Sequence, residues 1–108
     1  MKIEVLYFDG CPNHEPLLSR LRDLLAQSGV VTDVGLRRVE SVEAAERERF
    51  LGSPTLRIDG QDVEAGAERR TDFGLKCRLF ATPDGLRGTP ADEWVLDALA
   101  RTAAQSSR

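Results

Sequence analysis

Two cysteines, a single histidine and a Ser-Pro-Thr segment are the residues of this chain best suited to chemistry. Cys11 stands in Asp9-Gly10-Cys11-Pro12-Asn13-His14, where an apolar run (Ile3, Val5, Leu6, Tyr7, Phe8) stops and a leucine pattern of helical spacing begins. The first turn of a helix presents unpaired N–H groups and a partial positive charge, and both favour a thiolate over a thiol. Placements of this kind lower a cysteine pKa from about 8.5 into roughly the 3.5–7.5 range, which makes the sulfur a nucleophile and a soft-metal ligand near neutral pH. The plainer reading of Cys11 is a buried thiol packed as a small hydrophobe. Gly10 and Pro12 argue against it, because they put the residue on a turn rather than in a periodic apolar run.

His14 lies about one helical turn beyond Cys11, close enough to pair with a thiolate, donate a proton or supply a metal nitrogen. Its alternative is a solvated side chain in the first turn of a helix. Cys77 sits between Lys76 and Arg78, two cations that favour a thiolate, in a stretch irregular enough to approach Cys11. Equally, Cys77 and Leu79 alternate as one face of a short strand, where the thiol would be inert. Arg69, Arg70 and Arg78 offer positive charge to an anionic thiol substrate, or form the charged face of a solvated loop. Cys11, His14 and Cys77 are acceptable zinc ligands by type, but no fourth ligand accompanies them. No metal and no cofactor is therefore expected.

The elements that must position these residues can be read in order. Residues 2 to 8 predict a strand, with Val5 to Phe8 apolar enough to be covered on both faces. Pro12 suits a first helical position, Pro16 lets the helix start properly only near itself, and Leu17, Leu18, Leu21, Leu24 and Leu25 form one apolar stripe that Gly29 ends. Val30 to Val39 predicts a weaker strand. Ser41 caps a charged helix from Val42 to Phe50 whose thin apolar face suits the surface of a sheet. Leu56-Arg57-Ile58 and Gln61-Asp62-Val63 flank Asp59-Gly60, a strong hairpin signal. Residues 65 to 88 are irregular, with a turn at Pro83-Asp84-Gly85. Thr89 as N-cap and Pro90 as first helical residue open a last helix carrying Trp94, Val95, Ala98 and Leu99.

A helical crossover between the first two strands predicts parallel pairing, and the Asp59-Gly60 hairpin an antiparallel pair. The expectation is one α/β domain over residues 1–108, with a mixed sheet of four or five strands, helices on both faces and an irregular insertion at 65–88. At 108 residues the chain can bury a core of its own. Its net charge of −3, with 15 basic and 18 acidic residues interspersed, argues against nucleic acid as a partner. No apolar run is long enough for a membrane span. Met-Lys-Ile-Glu-Val runs straight into a strand pattern, so a cytoplasmic address is expected. Two cysteines in a reducing compartment suit redox, metal or nucleophilic chemistry better than a disulfide scaffold.

The element order, a cysteine at the first strand-to-helix junction and Ser53-Pro54-Thr55 opening the third strand together resemble the thioredoxin-like fold. The resemblance covers most of the chain apart from 65–88. It implies a cis Ser53–Pro54 bond facing Cys11, with Ser53, Pro54 and Thr55, joined by Arg78, on the substrate side. The family's redox motif is Cys-x-x-Cys, and its fourth position is His14 here. Asp-Gly-Cys-Pro-Asn, Gly-Ser-Pro-Thr and a late Cys-Arg also resemble a bacterial group described as alkylmercury lyase-like. In organomercurial lyases two distant cysteines grip mercury while an acid three residues after the first protonates the departing carbon. Cys11 and Cys77 match the thiols, and His14 stands where the lyase carries an aspartate.

These readings lead to three expectations. In the first, Cys11, tuned by His14, is an activated nucleophile that performs thiol–disulfide exchange with Cys77 as a distant second thiol, acting on a small thiol or disulfide or on a partner protein's thiol. In the second, the same cysteines bind or cleave an organomercurial. In the third, the chain is a non-catalytic thioredoxin-like binding module with the 65–88 loop as its docking surface.

Overall fold

The computed structural model describes residues 1–106. The opening apolar run forms β1 (Ile3–Tyr7), the most covered strand of the protein. Alternation along it sends Ile3 and Val5 to one face and Leu6 to the other, where each joins a separate buried cluster. That double burial explains why the run is nearly continuous rather than alternating.

Helix α1 (His14–Ser28) buries Leu17, Leu21, Leu24 and Leu25 against the Ile3–Val5 face. It starts at His14, after Pro12 and before Pro16, with Asn13 as N-cap. It ends in a Schellman motif: Gly29, at φ 70°, donates to the Ala26 carbonyl, and Val30 donates to Leu25 at 3.0 Å. Strand β2 (Val34–Arg38) returns parallel to β1, with Ile3 opposite Val34 and Val5 opposite Leu36.

On the other face lies α2 (Val42–Arg47), capped by the Ser41 hydroxyl, which accepts from the Ala44 N–H at 3.0 Å. Sequence pattern extends this helix to Phe50, but Arg49 adopts a left-handed φ of 55° and stops it. The reversal turns Phe50 inward, where it is fully buried with Leu6, Val39 and Ala45. Arg57 reaches from the sheet to the end of α2 and donates to the Glu48 carbonyl at 2.6 Å, satisfying an acceptor the helix leaves open.

Strand β3 (Thr55–Ile58) runs antiparallel to β1, and β4 (Gln61–Asp62) pairs with β3 through a turn in which Asp59 and Gly60 have φ of 51° and 82°. Positive φ at both positions is the primed turn that Asp-Gly favours. The main sheet is thus mixed and four-stranded, in the order β2-β1-β3-β4. No fifth strand joins it among the described residues. The segment expected to be irregular instead holds a short 3₁₀ turn (Ala67–Arg69) and a separate hairpin of β5 (Phe80–Thr82) and β6 (Gly85–Arg87).

Helix α3 (Asp92–Ser106) begins later than Thr89 and Pro90 predict, with the Ala91 carbonyl accepting from Trp94 and Val95. It packs beside α1 through Val95, Ala98 and Leu99, and Arg20 of α1 binds its Asp92 at 2.6 Å. No helix among the described residues is long and apolar enough to cross a membrane.

Candidate functional site

Cys11 follows a tight turn in which its N–H donates to the Phe8 carbonyl. A Cβ at Gly10 would run into the Phe8 ring, which would have to shift to admit it. The turn leads into α1, and the Asn13 side chain lies directly over Gly88, so that a side chain at that position would have to displace it. The end of the β5–β6 hairpin is therefore seated on the Cys11 turn.

The Ser53–Pro54 peptide is cis. Directly before it, Ser53 pairs with Cys77 as an isolated parallel bridge. The Ser53 N–H donates to the Lys76 carbonyl at 2.8 Å, and the Ser53 carbonyl accepts from the Arg78 N–H at 2.9 Å. That same carbonyl accepts from the Cys11 thiol at 3.5 Å. One residue thus holds both cysteine segments. Gly52 makes the approach possible: at φ 125°, a Cβ there would lie 3.0 Å from both the Arg78 Cβ and the Lys76 carbonyl.

Both cysteines are free thiols, Cys11 buried and Cys77 exposed. The two cysteines are close, and hydrogen bonding to Cys11, followed by slight desolvation and the charge of Cys11, pushes the Cys77 pKa above the ordinary cysteine value. Its flanking cations do not oppose that shift. Lys76 binds Asp72 at 2.8 Å, and the Arg78 guanidinium points into the protein, 1% exposed, with Asp62 at 2.7 Å and Glu64 at 2.9 Å. The expectation that Lys76 and Arg78 stabilise a Cys77 thiolate is thereby corrected: a buried cation demands carboxylate partners, and Arg78 takes Asp62 and Glu64 while Lys76 takes Asp72.

A chain of ion pairs runs from Lys76 through Asp72, Arg70 and Glu64 to Arg78 and Asp62. It fixes the residues on both sides of Cys77. Asp72, bonded first by Arg70 and then by Lys76, is held well below the usual carboxylate range. Arg78 also lies over the Phe80 ring, 4.4 Å from its centroid, and donates to the Thr55 hydroxyl at 3.1 Å. The Thr55 hydroxyl in turn donates to the Gly52 carbonyl at 2.7 Å.

Ser53, Pro54, Thr55 and Arg78, expected on the substrate side, are all buried. Their contribution is to hold the two cysteine segments together rather than to present side chains to solvent. Ser53 Oγ is buried without a hydrogen-bond partner. His14 lies at the start of α1 with its ring stacked on Tyr7, centroids 4.2 Å apart, and its Nδ1 is 3.2 Å from the Cys11 backbone carbonyl. A carbonyl only accepts, so this contact requires a proton on Nδ1 and leaves Nε2 as the open nitrogen of the neutral ring. The hydrogen bond of His14 is thus to the Cys11 backbone rather than to its sulfur.

Sequence reasoning did not single out Gly52, Asp62 and Glu64, nor Tyr7 as more than core. Asp62 and Glu64 did leave a signal, two carboxylates flanking Val63 and so on one face of an extended segment. Among the described residues no group of three or more His, Cys, Asp or Glu side chains is placed to hold a metal ion. A shallow cavity of about 330 Å³ opens beside the Cys11 turn between Phe8, Arg38 and Leu75. The larger cleft, about 1060 Å³ between Arg49, Arg57, Phe73 and Trp94, contains neither cysteine. Comparison with known protein families, curated proteins and solved structures gives no match to this chain.

Proposed function

We propose that this chain is a thioredoxin-like protein that carries out thiol–disulfide exchange with Cys11 and Cys77 as its redox pair. The observation that supports the reading is that one residue holds both cysteine segments: the Ser53 carbonyl accepts from the Cys11 thiol, and Ser53 pairs with Cys77, a residue distant in sequence. Two thiols that meet can together reduce one disulfide. One thiolate attacks a substrate sulfur and expels the other half as thiolate, then the second thiolate attacks the mixed disulfide and expels the first half. Two electrons leave the pair, an internal disulfide forms, and the two protons end on the released thiols. The partner is a small thiol or disulfide, or a protein thiol, in a reducing compartment such as the cytoplasm.

The experiment is a single turnover of the oxidised protein with glutathione as the reductant. One equivalent of oxidised protein should convert two glutathione molecules to one glutathione disulfide and end with both cysteines reduced, and Cys11→Ser or Cys77→Ser, which cannot form the internal disulfide, should abolish the conversion. Equal glutathione consumption by the wild type and both variants would refute the reading.

The same attachment of both cysteine segments to Ser53 favours a second reading, in which the two thiols take an organomercurial as substrate. Soft sulfur donors suit mercury, and two of them suffice for its two-coordinate chemistry. Cleavage would place mercury on both sulfurs and a proton on the departing carbon. Benzene release from phenylmercury above a no-protein control supports it, and its absence rejects catalysis.

A further inference from the structure

We infer that Cys77, not Cys11, is the sulfur that meets the substrate, and that Cys11 acts only on sulfur already carried by Cys77. The inference rests on the exchange reading above and divides the labour within it. Sequence logic gives the first attack to Cys11, because it stands next to a helix start. Access reverses the order.

Cys11 has 0% of its surface exposed, and its thiol points at the Ser53 carbonyl. Lys76 and Arg78 bond to the Ser53 N–H and carbonyl, and that carbonyl also accepts from the Cys11 thiol, so the segment carrying Cys77 stands beside the buried sulfur. In-line attack on a disulfide needs the attacking sulfur, the attacked sulfur and the leaving sulfur nearly collinear. A fully covered sulfur has no such approach to an external molecule. Cys77 is exposed, and its alternation partner Leu79 is exposed as well, so that side of the segment faces solvent.

The sequence of steps follows. The Cys77 thiolate attacks a small disulfide R–S–S–R, forming Cys77–S–S–R and releasing RS⁻. The Cys11 thiolate then attacks the Cys77 sulfur from inside, forming Cys11–S–S–Cys77 and releasing the second RS⁻. The two protons given up by the cysteines convert both leaving groups to RSH. In reverse, an external thiolate attacks the outward Cys77 sulfur of the internal disulfide and Cys11 departs into the protein.

The test uses the reduced protein and a substoichiometric amount of 5,5′-dithiobis(2-nitrobenzoic acid), quenched with acid at early times and mapped by peptide mass. The first adduct is expected on Cys77. In Cys11→Ser the Cys77 adduct should persist, and in Cys77→Ser the remaining thiol should react at least roughly tenfold more slowly than Cys77 does, since buried thiols are inert until the fold opens. A first adduct on Cys11 of the wild type overturns the assignment, and that measurement needs no variant. An adduct that forms on Cys77 but never releases a second thionitrobenzoate upholds the assignment and instead defeats the exchange reading.

Discussion

Ser53 and Cys77 face each other as a lone parallel bridge, with the Ser53 N–H on the Lys76 carbonyl and its own carbonyl shared between the Arg78 N–H and the Cys11 thiol. The Ser53 backbone is the common support of two cysteine segments that the chain separates widely. Its neighbours serve the same end: Gly52 gives room for the approach, and Arg78 anchors the approaching segment to Asp62 and Glu64.

Replacing Gly52 with alanine should strain the site in two ways. The residue has a φ of 125°, and the new Cβ would stand 3.0 Å from the Arg78 Cβ and the Lys76 carbonyl, neither of them the free end of a flexible side chain. A loss of about 1–3 kcal/mol in urea unfolding is expected, together with slower closure of the Cys11–Cys77 disulfide. Unchanged closure kinetics would show that Gly52 does not set the distance between the segments.

Arg78 is a positioning residue, and breaking its ion pairs from one side should cost more than a surface pair would. Arg78→Ala leaves Asp62 and Glu64 as largely buried carboxylates without their cation, for an expected loss of about 3–5 kcal/mol. Exchange with small thiols by the surviving folded fraction should slow as Cys77 loses its register with Ser53. Arg20→Ala, which removes an exposed pair with Asp92, should cost at most about 1 kcal/mol. Equal losses for the two variants, measured by chemical denaturation, would contradict the anchoring role.

Cys77 should titrate above an ordinary thiol because Cys11 holds its proton. Its alkylation rate in the wild type is expected to rise at higher pH than for a free cysteine near about 8.5, and in Cys11→Ala to move back toward that value. The sign for stability follows from linkage. The native state keeps this proton through the interval between the unfolded and the higher native pKa, so stability of the reduced protein falls as pH rises through it. Cys77→Ala should remove that component of the decline.

Ser53→Ala offers the opposite expectation from its position beside the site. Ser53 Oγ is buried and unpartnered, while the functional hydrogen bonds are made by the backbone. Stability should stay within about 1 kcal/mol of the wild type or increase, since an unsatisfied buried hydroxyl is lost and no bond is broken. A large thermal destabilisation would mean that the hydroxyl, rather than the backbone, supports the bridge.

Much of the architecture was legible in the chain because single residues carry it. The β1 run, the α1 leucine stripe closed by Gly29, the Ser41 cap and the Asp59-Gly60 turn each have one physical reading, and each appears at or near its expected place. The misplacements share a cause, which is local geometry decided by distant packing. Arg49 ends α2 early in a conformation its residue type does not announce, because Phe50 must reach Leu6 and Val39. The β5–β6 hairpin has too few apolar residues to show alternation, and its register comes from docking Phe80 inward and Gly88 against Asn13. At the site, sequence could nominate Cys11 and Cys77 by type but not say which one is covered. Arg78 illustrates the limit most clearly: beside a cysteine it reads as an activating charge, and only the fold reveals the two carboxylates that claim it.

The pairing of the two thiols is tested most directly by oxidising the protein with glutathione disulfide, alkylating whatever thiols remain, digesting it and searching the peptide masses for a Cys11–Cys77 cross-link. The account predicts one intramolecular disulfide, with the loss of two hydrogens from the intact mass and full reversal by dithiothreitol. Alkylation of both cysteines after every oxidant, with no cross-linked peptide, would contradict it.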